Sequence, residues 1–192
     1  MDGGSDRWEA LFGELEADLA ESGAADLRAE VADRTRREQA TLRLVDRLRP
    51  VIGHQVRVRL VAGGVAKGRL ADVGADWLLL ADVGAELRAA VLVPLGQVAA
   101  IDGLGVRSAM PGSEGRVAAA LDLRHALRRL ARDRAAVLVG MVDGGSVAGT
   151  LDRVGSDFIE VAVHPIGEPR RAAAVRQVLA IPIAAVSMVR SG

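Results

Sequence analysis

Strict alternation of apolar and polar residues marks one strand of the chain, and its apolar face recurs further along. In QVRVRL, from Gln55, the residues Val56, Val58 and Leu60 fall on one face of a strand and Arg57 and Arg59 on the other. In AVLVGM, from Ala136, the corresponding apolar face is Val137, Val139 and Met141. Each predicted strand runs into a glycine pair, Gly63-Gly64 or Gly144-Gly145, which supplies the positive φ of a tight hairpin. The returning strand passes through Leu70 or Leu151 and bends at Gly74 or Gly155. A third strand follows, WLLLA in one place and FIEVAV in the other, and then a fourth, from which a proline step leads into a last strand, VPLGQVAAI at 93–101 and IPIAAVSMV at 181–189. Helical spacing precedes each set, over residues 27–49 up to Pro50 and over residues 117–133 with Leu123, Ala126, Leu127 and Leu130. Each set thus predicts a helix and five short strands with bent corners, the makings of a small barrel.

The two sets are copies. At an offset of 81, residues 56–80 match 137–161 without a gap, and ten of the 25 positions are identical, among them Val56/Val137, Gly68/Gly149, Leu70/Leu151 and Asp76/Asp157. The same offset pairs Leu42 with Leu123, Arg43 with Arg124 and Arg47 with Arg128, so the repeat includes the helix. A longer loop in the second copy, HPIGEPRRAAAVRQ, raises the offset to 88 for the last strands. The predicted organisation is an acidic N-terminal helix at 1–26, a helix and first barrel at 27–101, a Gly/Pro/Ser-containing linker at 102–115 and a helix and second barrel at 116–192.

The copies differ on the outer face of the third strand, where Trp77 and Leu79 correspond to Phe158 and Glu160. An outer face that is apolar must be covered by a helix, the sister copy or another subunit, which makes Trp77 and Leu79 interface candidates. The N-terminal segment offers one cover, because Trp8, Leu11, Phe12, Leu15 and Leu19 form an apolar helical stripe.

Composition narrows the chemistry. The 192 residues contain no cysteine, which excludes disulfides and thiolate chemistry, and His54, His125 and His164 lack metal-ligand spacing. No metal, cofactor or membrane partner is expected, since no apolar run approaches the ~18 residues of a membrane span, and the reading is a cytoplasmic protein. No nucleophile, base and orienting group stand at recognisable spacing, so the protein is read as non-enzymatic. Asp76 and Asp157, each following a glycine bend, are read as hydrogen-bonding the turn backbone.

Net charge is zero but unevenly distributed: residues 1–26 hold eight acids and one base, residues 27–60 nine bases and four acids, and residues 116–134 six bases and two acids. Of 25 basic residues all but Lys67 are arginine, the signature of a GC-rich genome. Arg124, Arg128 and Arg132, spaced i, i+4, i+8, share one helix face with Arg129 beside them, and Arg43 and Arg47 are their first-copy counterparts.

A helix leading into five bent strands, with G-x-L-x-x-V-G-x-D at strand two and a closing proline or glycine turn, resembles the Sm-like fold of the LSm and Hfq proteins, one of the SH3-type barrels. The chain as a whole, with WEALFGELEADL at the start and LRRLARDRAAVLV in the middle, also looks like an actinobacterial family sometimes labelled Fis-type regulators. The resemblance implies an α+β protein of two tandem five-stranded SH3/Sm-like barrels, each preceded by a helix. It further implies an RNA-binding regulator. The Asp-x-x-Met-Asn of the usual uridine pocket is here Gly74-Ala75-Asp76-Trp77-Leu78, and the Lys-His step is replaced by Pro94-Leu95 and Pro182-Ile183. Nucleic-acid contact, RNA or DNA, is therefore expected from Arg43, Arg47, Arg124, Arg128, Arg129 and Arg132. The alternative is an oligomeric protein-interaction scaffold that self-associates through barrel edges.

Overall fold

The computed structural model describes residues 13, 21, 27, 30–81, 89–113, 120–165 and 175–191. The chain divides into two compact units, Met1–Leu42 and Arg43–Gly192. In the first, residues 13, 21 and 27 are helical and a helix α1 covers 30–41, its surface tied by ion pairs such as Arg34 to Glu38 at 3.1 Å. The stripe from Trp8 to Leu19 lies outside the described residues.

The second unit starts with a break that the helical spacing did not predict. Instead of one helix over 27–49, the backbone at Arg43 is extended (φ −97°, ψ 162°) and a separate helix α2 occupies Leu44–Leu48. Asp46 explains the break. Its buried carboxylate accepts from the Arg43 amide at 2.9 Å and from the Arg49 guanidinium at 2.9 Å, which fixes the start of a new helix.

Among the described residues ten strands follow: β1 Gln55–Leu60, β2 Val65–Val73, β3 Trp77–Ala81, β4 Ala90–Pro94, β5 Val98–Asp102, β6 Ala136–Met141, β7 Ser146–Val154, β8 Phe158–Val163, β9 Gln177–Pro182 and β10 Val186–Ser191. A helix α3, Leu123–Asp133, separates the copies. Gly63 and Gly144 take the positive φ of the hairpins (86° and 83°). Gly74 has a different role: a Cβ there would sit 2.1 Å from the Trp77 indole nitrogen and 2.7 Å from the Leu121 carbonyl, so glycine makes room for a close approach. Register shifts after Leu70 in β2 and after Leu151 in β7, an equivalent pair, bend both long strands.

The assembly of these strands corrects the expected architecture. All ten belong to one antiparallel sheet in the order β5-β1-β2-β3-β4-β10-β6-β7-β8-β9, rather than to two separate five-stranded barrels, and the sheet does not close. Closure of the first copy would require β4 to pair with β5. Instead β4 pairs with β10, through Val189 with Leu92, Arg190 with Val91 and Ser191 with Ala90. Among the described residues β5 pairs only with β1 and β9 only with β8, leaving two open edges.

Side chains account for the choice. Trp77, 7% exposed, and Leu92 pack into the second copy's core with Leu123, Leu127 and Val189, and Leu79 lies against the same cluster. Met188 of β10 packs in return on the first copy's core around Leu70, Leu78 and Leu80. Three hydrogen bonds reinforce this junction: the Trp77 indole N–H donates to the Leu121 carbonyl (2.9 Å), the Ala75 amide to the same oxygen (3.1 Å), and the Leu123 amide to Asp76 Oδ1 (2.7 Å). The apolar outer face of the first copy is therefore covered by the sister copy. In the second copy its equivalent carries Glu160, paired with Arg153 at 3.5 Å, and Ala180, which does not offer the same apolar seat.

Trp77→Ala is expected to lower the unfolding free energy by about 3–5 kcal/mol, the range for truncating a buried aromatic. Denaturant titration followed by circular dichroism measures this as a lowered midpoint.

Candidate nucleic-acid interface

Helix α3 is fixed at both ends. Asp122 caps its start, accepting from the His125 amide at 3.1 Å, while Asp76 reaches over from the first copy to the Leu123 amide. Arg134, in the left-handed region at φ 48°, ends the helix and donates its amide to the Ala131 carbonyl (3.3 Å). Leu123 and Leu127 are buried, with Ala126, Leu130 and Ala131 packed beside them. The opposite face is left to the arginines.

The six arginines expected to contact nucleic acid divide into two groups. Arg128, Arg129 and Arg132 are exposed on α3, and none of their side chains makes a hydrogen bond or ion pair with another described residue. Arg134 is exposed just beyond them. The other three arginines have local work. Arg124 donates through Nε to Asp122 Oδ2 (2.7 Å) and through Nη1 to the Ser156 carbonyl (3.4 Å). Arg43 lies 3.6 Å from Asp46 Oδ2. Arg47 gathers the segment after β5, donating to the carbonyls of Gly105, Val106 (2.9 Å) and Arg107 (3.2 Å) and to the Ser108 hydroxyl (3.3 Å). Trp77 and Leu79, the interface candidates, lie at the intramolecular junction described above.

Asp76 departs from its expected turn role, since its carboxylate serves the α3 N-terminus. Asp157, its counterpart, accepts from the Ser156 hydroxyl at 3.3 Å. These groups share a cleft of about 370 Å³ with Asp122, Arg124 and Ile183. Within it Asp122 titrates abnormally: partial burial raises its pKa, but hydrogen bonds from Arg124 and His125 and the Arg124 charge outweigh this and hold it at about 2.

A second cleft, about 450 Å³, lies beside His164, Arg176 and Leu179. His164, 2% exposed, has partners that its position before a proline did not reveal: Nδ1 is 3.0 Å from the Pro165 carbonyl, and Nε2 is 2.8 Å from the Thr150 hydroxyl. Since a carbonyl only accepts, Nδ1 carries a proton. Both ring nitrogens are thus engaged in holding the end of β8. Among the described residues no group of three or more His, Asp or Glu side chains could hold a metal ion, and no helix is long and apolar enough to cross a membrane.

Comparison of the chain with protein families, with curated proteins and with solved structures finds no match. The candidate interface therefore stands on its geometry.

Because the folded-state pKa of Asp122 is depressed from 3.8 to about 2, its contribution to stability is present above about pH 4 and is lost as pH falls through about 2. Asp122→Asn keeps a capping oxygen but removes the charge. Denaturation midpoints between pH 5 and 2, in that variant, should show a shallower acid-side decline than in the wild type.

Proposed function

We propose that the protein is a non-enzymatic, cytoplasmic nucleic-acid-binding protein that holds single-stranded RNA through phosphate contacts from α3. The observation that carries this reading is the group of Arg128, Arg129 and Arg132, exposed together on a helix anchored at both ends and without partners among the described residues. Like charges at i, i+3 and i, i+4 spacing disfavour a helix by roughly 0.2–0.5 kcal/mol per pair, and a polyanion removes that penalty. Guanidinium groups match phosphate oxygens with forked donors. Recognition by phosphate contact is independent of base sequence, in keeping with an α3 that carries no Phe, Tyr or Trp and whose one ring, the His125 imidazole, is bonded to Asp122 at 2.7 Å. The absence of cysteine from the sequence suits a reducing compartment.

A scaffold that self-associates is the second reading, and the two open edges, β5 and β9, favour it. Glu160 and Ala180, at the positions where the first copy has Leu79 and Leu92, weigh against continuation of the sheet at the β9 end.

Arg128→Ala, Arg129→Ala and Arg132→Ala combined should weaken binding to unrelated single-stranded RNAs alike and reduce the slope of log K against log salt by about 2, at ~0.7 per lost phosphate contact. Fluorescence anisotropy at several salt concentrations measures both. An unchanged slope in a folded variant contradicts the reading.

A further inference from the structure

A second basic surface lies on the sheet itself. On β1, Arg57 and Arg59 alternate with buried Val56 and Val58; on β2, Lys67 and Arg69 alternate with buried Ala66, Gly68 and Leu70. All four cations are exposed and share the outward face of one hairpin. The register sets Arg57 directly opposite Lys67, an arrangement of like charges that destabilises a strand pair. On its other side Arg57 faces Asp102 of β5, among the described residues the one acid that the register places directly across from these cations, while Arg59 faces Ala100. Asp72, further along β2, directs its carboxylate to the Val73 amide at 2.8 Å.

The duplication provides an internal control. The second copy keeps the strand pair and its register, with Leu138 opposite Ala148 where the first copy sets Arg57 opposite Lys67. At the positions of Arg59 and Arg69 it has Gly140 and Thr150. The fold therefore needs no cation at any of the four sites. Composition does not explain them fully either: a bias toward arginine accounts for 24 of 25 bases but not for Lys67, the one lysine of the chain, which stands in this cluster.

We propose that the outward face of β1 and β2 is a second phosphate-binding surface for single-stranded RNA, with Arg57, Arg59 and Lys67 as its contacts. The ligand class rests on the reading given for α3; the surface is independent of it. Arg57 and Arg59 are roughly 6–7 Å apart along an extended strand at ~3.3 Å per residue, a spacing on the scale of successive phosphates in an extended polynucleotide. An anion bridging Arg57 and Lys67 removes their mutual repulsion. The face has no aromatic side chain on which a base could stack, so the contact is to phosphate and tolerates any sequence.

The test uses the full chain and a fluorescein-labelled 20-nucleotide single-stranded RNA of mixed sequence. Arg57→Gln, Arg59→Gln and Lys67→Gln combined should reduce the salt slope by about 2 and the affinity at least tenfold at 0.1 M salt, in addition to the loss seen with the α3 variant. A folded variant whose slope matches wild type overturns the proposal while leaving the α3 reading intact. Loss in this variant but not in the α3 variant upholds the sheet surface and removes the helix from the interface. Absence of RNA binding by the wild type overturns both. If the triple variant loses its cooperative unfolding transition, Arg59→Gln and Lys67→Gln are measured singly, and each should reduce the slope by ~0.7. A change of sedimentation mass without RNA would assign the face to a second copy of the chain and overturn the proposal.

Discussion

The pairing of β4 with β10 is the constraint on which the second unit depends. Two strands, β5 and β10, are alternatives for the free edge of β4. Backbone hydrogen bonding alone favours neither, because each supplies a similar ladder. The apolar side chains decide: β10 arrives with a core that accepts Trp77 and Leu92, while α3 brings Leu123 and Leu127 over the same surface. At ~25 cal/mol per Å² of apolar area removed from water, burial of an indole and two leucines is a larger gain than any single ladder bond. The Leu121 carbonyl and the Asp76 carboxylate then fix the angle at which the second copy docks, since they receive the Trp77 and Ala75 donors and the Leu123 amide respectively.

Duplication with divergence explains why the sheet stops at ten strands. Where the first copy has an apolar seat, the second has Phe158, Glu160 and Ala180, with Glu160 held by Arg153. The same divergence separates the helices. Asp46 lies at the position of Leu127, and its buried carboxylate, bonded to the Arg43 amide and to Arg49, gives the first copy a helix of five residues where the second has eleven. Surface charge diverges as well. Cations sit on the first copy's β1–β2 hairpin and on the second copy's helix, at sites where the sister copy has neutral residues or puts arginine to structural use.

The strand positions were legible because a period of two in residues such as Val56 to Leu60 admits one reading, and the 81-residue offset repeated it. That Trp77 needed a cover was legible too. The identity of the cover was not, because alternation specifies which face of a strand is buried and says nothing about which strand lies beside it. Two separate five-stranded barrels were expected on the assumption that each copy completes its own sheet. Among the candidate contacts, Arg128, Arg129 and Arg132 were found by helical spacing, since α3 has one buried stripe. Arg47 shared their pattern but binds carbonyls nearly sixty residues away, at Gly105 to Arg107, and no local period reports a partner so distant. The Arg57–Lys67 juxtaposition depends on the cross-strand register, which the Gly63-Gly64 turn allowed but did not fix.

Native-state hydrogen exchange across the β4–β10 pairing tests the single continuous sheet most directly. If the junction integrates the two copies, the amides of β4 and β10 exchange only through global unfolding, with the same opening free energy and denaturant dependence as those of β1 and β6. Exchange of the junction amides at a much lower opening free energy, with β1 and β6 still protected, would show two independently stable halves and contradict it.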